Sequence, residues 1–146
     1  HVYDLVHKSL IDTLQQFDIQ ATTANAKQTS DDQQNSFLCF ERRCPCDVVL
    51  RDFKIAGSAQ RRCRNYVLQH GSILTGQSVF APDLPGIHEL SNSDMNADTL
   101  QSAWVPNLRK LFDTVFIEKP LIDEEKRITT ALQDSKFKSD TWNMKR

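Results

Sequence analysis

Val2, Leu5, Val6, Leu10, Leu14 and Phe17 recur at three- and four-residue steps, with Asp4, Lys8, Asp12 and Gln16 between them. That spacing predicts an amphipathic helix over residues 2–18, one face packed and the other wet. The pattern then stops. Residues 20–36 hold no aromatic and no apolar side chain larger than alanine. Such a segment cannot offset its ordering entropy by burial, so residues 20–36 are expected to form a mobile polar loop.

From Phe37 the apolar positions close up into short runs. Phe37-Leu38-Cys39-Phe40 is short and apolar, and Cys46-Asp47-Val48-Val49-Leu50 is β-branched, with Cys46 read as a strand residue. Arg51-Asp52 follows as a hairpin turn, and Phe53-Lys54-Ile55-Ala56 continues as a strand up to Gly57. Gly57-Ser58-Ala59 reads as a small-residue turn, and Tyr66 to Leu74 as a further strand that steps through His70-Gly71-Ser72 like a turn. Successive strands with short connections predict an antiparallel meander with helices over one face.

Pro82, Pro85 and Gly86 interrupt the chain as a loop. Leu100, Trp104, Leu108, Leu111, Phe112 and Val115 return to helical spacing, and Pro106 makes this two short helices or one kinked helix. Pro120 is expected in the first turn of a last helix, with Asp123, Glu124 and Glu125 against its dipole and Ile128, Leu132 and Phe137 on its apolar side. The order is helix, strands, then helices. The class is α+β.

Composition narrows the function without naming it. At 146 residues the chain has the length of one domain. The net charge is −1 from 18 basic and 19 acidic side chains, so no global field recruits nucleic acid or an anionic membrane. No apolar run is long enough to span a bilayer, and the charged first helix is unlike a signal peptide, which together lead to a cytoplasmic expectation. The four cysteines are Cys39, Cys44, Cys46 and Cys63, spaced C-x4-C-x-C-x16-C. That spacing matches no common zinc framework, so no metal site is expected.

The chemistry gathers between Cys39 and Gly76. Lys54 points either outward into water or inward toward a pocket, and the small residues Gly57, Ser58 and Ala59 after it would let a ligand approach backbone N–H groups. Cys39 stands before a basic tract that would favour thiolate, which makes it either a nucleophile or a small buried hydrophobe. His70 is a structural or a catalytic imidazole, and Gly57 and Gly71 are the positions of closest backbone approach. A thiol, an ammonium and an anion-friendly backbone point to acyl transfer.

Two blocks carry a resemblance. Lys54-Ile55-Ala56-Gly57-Ser58-Ala59-Gln60-Arg61-Arg62, followed by Leu68-Gln69-His70-Gly71-Ser72-Ile73-Leu74, closely resembles the lipoate–protein ligase A and octanoyltransferase family of the biotin/lipoate ligase superfamily. Leu84-Pro85-Gly86-Ile87 and the ending Lys136 to Asn143 look like later family segments. The resemblance implies a biotin/lipoate ligase-like catalytic domain in which residues 1–146 are a C-terminal part, with further strands upstream of His1. It also implies that Lys54 is the family's active-site lysine, with Gly57, Ser58, Ala59, His70 and Gly71 around the substrate. In the cysteine-dependent octanoyltransferases a Cys-Phe pair precedes the lysine by 15 positions, as Cys39-Phe40 precedes Lys54.

By that resemblance Cys39 would take an octanoyl group from acyl carrier protein and pass it to the lysine of a lipoyl domain or glycine-cleavage H protein, with no cofactor. Two other readings stay open. One is an ATP-dependent lipoate–protein ligase, which would use ATP and Mg, with Cys39 merely structural. The other is a non-catalytic subunit that binds lipoyl domains or completes a split enzyme with a separate N-terminal half.

Overall fold

A computed structural model of the chain describes residues 2–24 and 40–144. The chain falls into two compact units, His1–Thr114 and Val115–Arg146, where its length suggests one.

In the first unit, helix α1 (Val2–Gln15) opens the chain and ends before Asp18, whose φ of 60° turns it into the left-handed region. Its buried face is only partly the one that apolar spacing marks, since Leu10 and Leu14 are buried as that spacing predicts. Val2, Leu5 and Phe17 are exposed, while His7, Ser9, Leu10, Thr13 and Leu14 point inward. The polar inward positions have partners. Trp104 Nε1 donates to Ser9 Oγ at 3.1 Å, and Asn107 Nδ2 donates to Thr13 Oγ1 at 2.7 Å. Both partners lie on α3 (Ala97–Leu111), which is one helix with Pro106 inside it and packs along α1. A short α2 (Ile87–Ser91) precedes it.

Among the described residues the sheet has four strands in the order β1-β2-β3-β4, every neighbour antiparallel. Part of the predicted polar loop belongs to it. Thr22–Thr23 forms β1 against Val48 and Val49, and Ala21 and Ala24 are buried beside it, small enough to pack under the sheet edge. Residues 25–36 of that predicted loop lie outside the described residues. Strand β2 is Val48–Leu50, and Cys46 precedes it in a turn with φ of 80°, so the cysteine is not the strand residue that its β-branched neighbours suggest. Arg51 and Asp52 have φ of 47° and 66°, the doubly left-handed turn whose twist suits a two-residue hairpin.

Strand β3 (Phe53–Arg62) runs past the expected stop at Gly57, and β4 is Val67–Ile73. Gly57-Ser58-Ala59 and His70-Gly71-Ser72 are therefore neither turns nor loops. They lie opposite one another, Gly57 against Ser72, Ser58 against Gly71 and Ala59 against His70. Small residues there mark close approach of two strands. A Cβ on Gly71 would come within 2.7 Å of Ser58 Cβ and 2.9 Å of Ser58 Cα, so the pairing needs glycine at that position.

Between β2 and β3 the register slips. Val49 faces Lys54 while Val48 faces Ala56, which leaves Ile55 as an extra residue on β3. Ile55 and Ala56 are consecutive and both buried. They join Leu10, Leu14, Ile19, Val48, Leu50, Ile87 and Leu100 in one core between sheet and helices.

In the second unit α4 (Asp123–Leu132) begins after Ile122, so Pro120 lies before the helix and not in its first turn. A π-helical segment, Gln133–Phe137, and a short α5 (Asp140–Asn143) follow. Phe137 and Trp142 meet edge to face with centroids 5.4 Å apart, and Lys136 Nζ lies 4.4 Å from the Trp142 ring. Ile128, Leu132 and Phe137, the predicted apolar side, are all partly exposed.

Candidate active site

Lys54 is the centre of the arrangement. Its side chain is only 10% exposed, which excludes the solvated-charge reading of a strand lysine. Asp47 explains how a buried ammonium is tolerated: Oδ2 stands 2.9 Å from Nζ, and the carboxylate side chain is 3% exposed. Nζ also donates to Arg42 O at 3.0 Å and lies 5.4 Å from the centre of the Phe40 ring. Asp47 is itself aimed, because Oδ2 accepts from Cys44 N at 2.7 Å while Asp47 N donates to Cys44 O at 3.1 Å.

The register slip decides what Lys54 faces. Residues three apart on an unbroken strand point to opposite faces. With Ile55 inserted, Lys54 and Gly57 share a face, and a Cβ on Gly57 would meet Lys54 Cε at 2.5 Å and Nζ at 2.8 Å. Glycine makes the floor on which the lysine lies. Alternation from there puts Ala59 on the same face and Ser72 and His70 directly across on β4. Ala59, His70 and Ser72 are exposed, so this face is a small-residue track that begins at a buried cation.

Ser58 and Gly71 go the other way. Ser58 Oγ is 2.8 Å from His7 Nε2 on α1, and its carbonyl accepts from Tyr3 Oη at 3.0 Å. A cavity of about 170 Å³ lies between α1 and these strands, bordered by His7 and Trp104 and by Gly57, Ser58, His70 and Gly71. By alternation Gly57, Ala59 and His70 face the Lys54 side and Ser58 and Gly71 face α1, while Gly57, Ser58, His70 and Gly71 all border that cavity. The backbone expectation also changes. The β3–β4 ladder is bonded at Leu74 N to Ile55 O and at Cys63 N to Tyr66 O, and alternate pairs between them bond likewise. The N–H groups of Gly57 and Ala59 are therefore taken up by β4 rather than offered to an anion.

Cys39 lies outside the described residues, and Phe40, its neighbour in the chain, is the residue whose ring meets Lys54. Two groups go unmarked in the sequence. Asp47 reads as one polar position in a strand and His7 as a lone polar residue on a helix, while Phe40 is marked there only as the partner of Cys39 in the Cys-Phe pair. The one usable signal is an acid immediately before an apolar strand that a two-residue turn folds back beside a lysine.

Residues 1–113 match the family model of the lipoyl protein ligase A/B catalytic domain. The chain belongs to that family. The match ends where the first compact unit ends, and Lys54, Asp47 and the small-residue track all lie inside it. Among curated relatives, an octanoyltransferase LipM of Bacillus anthracis is 26% identical over 99% of this chain and 61% of its own length. An octanoyltransferase LipM of Clostridioides difficile is 27% identical over 99% of this chain and 60% of its own length. The chain thus spans about three fifths of these relatives, 61% and 60%. Among solved structures, a putative lipoate protein ligase from T. acidophilum with bound lipoic acid superposes with a TM-score of 0.75 at 15% identity, over 98% of this chain and 58% of the other. A lipoate-protein ligase A bound with ATP gives 0.74 at 15%, over 98% of this chain and 58% of the other. These likenesses establish the α+β lipoate ligase fold for the lipoyl ligase family member described here. No helix among the described residues is long and apolar enough to cross a membrane.

Proposed function

We propose that this chain carries the lysine-bearing part of an acyl-transfer site that moves an octanoyl group from an acyl-carrier-protein thioester to the lysine of a lipoyl domain or glycine-cleavage H protein, in the cytoplasm. The observation that carries the reading is Lys54, a buried ammonium fixed by Asp47 at the head of an open track of glycine, alanine and serine. A cation so placed can stabilise negative charge that develops on a carbonyl oxygen or a sulfur, and the low exposure strengthens it. The track leaves room for a thin acyl chain against the sheet.

In the first step the Cys39 thiolate attacks the thioester carbonyl, the carrier's thiol leaves with a proton, and an octanoyl-cysteine forms. In the second, the acceptor's lysine amine attacks that thioester, an amide forms, and the Cys39 thiol is released. The donor is already activated, so no nucleotide is consumed. Lys54 would hold the thiolate and then the tetrahedral oxyanion. The relatives named octanoyltransferase LipM support this reading over an ATP-dependent lipoate ligase, in which Lys54 would meet an acyl-adenylate and Cys39 would be dispensable.

Incubation with octanoyl carrier protein, followed by intact-mass measurement, tests the reading. A hydroxylamine-labile octanoyl adduct on Cys39 is expected. Transfer with Cys39 unmodified, or transfer that requires ATP, would overturn it. Running the assay with and without a separately supplied N-terminal half determines whether the chain acts alone.

A further inference from the structure

We infer that His7 is the positioning residue of the Lys54 site, a clamp from α1 that holds the Asp47 turn and the Gly57 floor at a fixed separation. The inference rests on the proposed acyl-transfer reading only for what Lys54 does once it is positioned.

His7 is 4% exposed, in the middle of the buried face of α1. A buried imidazole needs partners on both nitrogens, and it has them from two distant segments. Nδ1 is 2.5 Å from Cys46 O, and Nε2 is 2.8 Å from Ser58 Oγ. A carbonyl oxygen can only accept, so Nδ1 carries the hydrogen. In the neutral ring Nε2 then accepts from the Ser58 hydroxyl. The rest of the network runs in the same sense: Gln69 Nε2 donates to Ser58 Oγ at 3.0 Å, and Gln60 Nε2 donates to Gln69 Oε1 at 2.8 Å. Every donor in the chain Gln60, Gln69, Ser58, His7, Cys46 has one acceptor. Both nitrogens of the ring are thus taken up by the protein, which gives the imidazole a mechanical use.

Each end of the clamp is one residue from a part of the lysine site. Cys46 O belongs to the peptide that leads into Asp47, and the N–H of that same peptide is tied to Cys44 O. Cys46 has φ of 80°, a conformation that costs energy for a residue with a Cβ and persists only where neighbours hold it. Ser58 follows Gly57, the floor under Lys54 Cε. The ring thus braces both walls between which the ammonium sits. Tyr3, one turn earlier on α1, seats the imidazole with ring centroids 4.4 Å apart and donates to Ser58 O. Without the ring, the Cys46–Asp47 peptide could rotate and carry the carboxylate away from Nζ.

The test reads Lys54 itself. The longest natural chain is treated with a water-soluble amine-acylating ester, and modification of Lys54 is measured by peptide mass spectrometry against Lys8 and Lys110 as internal references. The Asp47→Asn variant calibrates the assay, because it removes the ion pair directly. His7→Leu should raise Lys54 modification about tenfold, the factor that goes with loss of one charge-assisted hydrogen bond. His7→Gln, whose amide can donate to Cys46 O and accept from Ser58 in the same way, should return it to within about twofold of wild type. Ser58→Ala, which removes one anchor and almost no volume, covers the case in which His7→Leu does not fold, and should give an intermediate rise. Unchanged Lys54 modification in folded His7→Leu or in Ser58→Ala, while Asp47→Asn raises it, overturns the inference. So does a His7→Gln variant that is folded and as reactive as Asp47→Asn. The readout needs no acyl transfer, so a wild-type chain without octanoyltransferase activity would remove the proposed function and leave the clamp standing.

Discussion

Lys54 Nζ and Asp47 Oδ2 stand 2.9 Å apart, with side-chain exposures of 10% and 3%. Removing one member of such a pair strands the other, whereas removing both does not. Asp47→Asn keeps an oxygen for Cys44 N and should cost about 3 kcal/mol by urea unfolding, because a buried ammonium loses its counter-charge. Lys54→Met should cost a similar amount. The double variant Lys54→Met, Asp47→Asn should recover most of the loss, and a double-mutant cycle that came out additive would contradict the pairing.

The two glycines opposite each other's neighbours should fail differently. On Gly57 a new Cβ meets the far end of a flexible side chain, Lys54 Cε at 2.5 Å, so the lysine gives way and the fold survives. Gly57→Ala should lower transfer about 100-fold through misplacement of the ammonium, with a loss of stability no larger than that of Asp47→Asn. On Gly71 the new Cβ meets strand β3 itself, Ser58 Cα at 2.9 Å, and backbone does not yield cheaply. Gly71→Ala should destabilise the sheet by about 2–3 kcal/mol, seen as a lower midpoint before any assay.

Cys46 and Asp4 should protect each other. The Cys46 thiol donates to the Asp4 carboxylate, which is the main cause that pushes the thiol above 9.0 and holds the carboxyl below 3.8. At pH 8 iodoacetamide should therefore label exposed Cys44 well ahead of Cys46, and Asp4→Asn should narrow the gap. Sign fixes the acid limb as well. A folded carboxyl that titrates below its unfolded value adds stability above about pH 3.8, and loses it as pH falls through the lower folded value. Asp4→Asn should flatten stability against pH in that window, measured by chemical denaturation from pH 5 down to about pH 2.

The hairpin at Arg51-Asp52 holds two residues with a Cβ in the left-handed region, φ 47° and 66°. Glycine takes the second position without that penalty. Asp52→Gly should raise stability by about 0.5–1 kcal/mol, and a loss would mean that the aspartate side chain supports the turn.

Much of this architecture was legible from residue pattern. The first helix, the Arg51-Asp52 turn, the antiparallel meander and the α+β order all follow from spacing and turn chemistry. What was not legible shares one cause. Local pattern says which residues are small or charged, and long-range pairing says what they meet. Gly57-Ser58-Ala59 reads as a turn because glycine and serine favour turns, yet the smallness of all three is what lets two strands close together against Gly71. Val2, Leu5 and Phe17 mark a helix correctly and its buried face wrongly, because His7 and Thr13 find polar partners 51 and 94 residues away. Lys54 looks like a surface charge until Asp47 is folded beside it. The family resemblance marks Lys54, which residue physics leaves undecided, and the structure sets a carboxylate beside it.

The extra residue on β3 gives the motif its arithmetic. A lysine and a glycine separated by an odd step would be sent to opposite walls by an uninterrupted strand, and only the inserted Ile55 brings them to one. The interval between them is thus a reading frame. Deleting Ile55 would leave Lys54 and Gly57 two positions apart on a regular strand and still on one face, whereas closing the slip with Ile55 kept would turn Gly57 and Ala59 toward the helices and leave the lysine alone on the outside. Recognising this site in another sequence therefore calls for the odd interval and a buried pair of apolar residues inside it, and a lysine by itself would be a poorer guide.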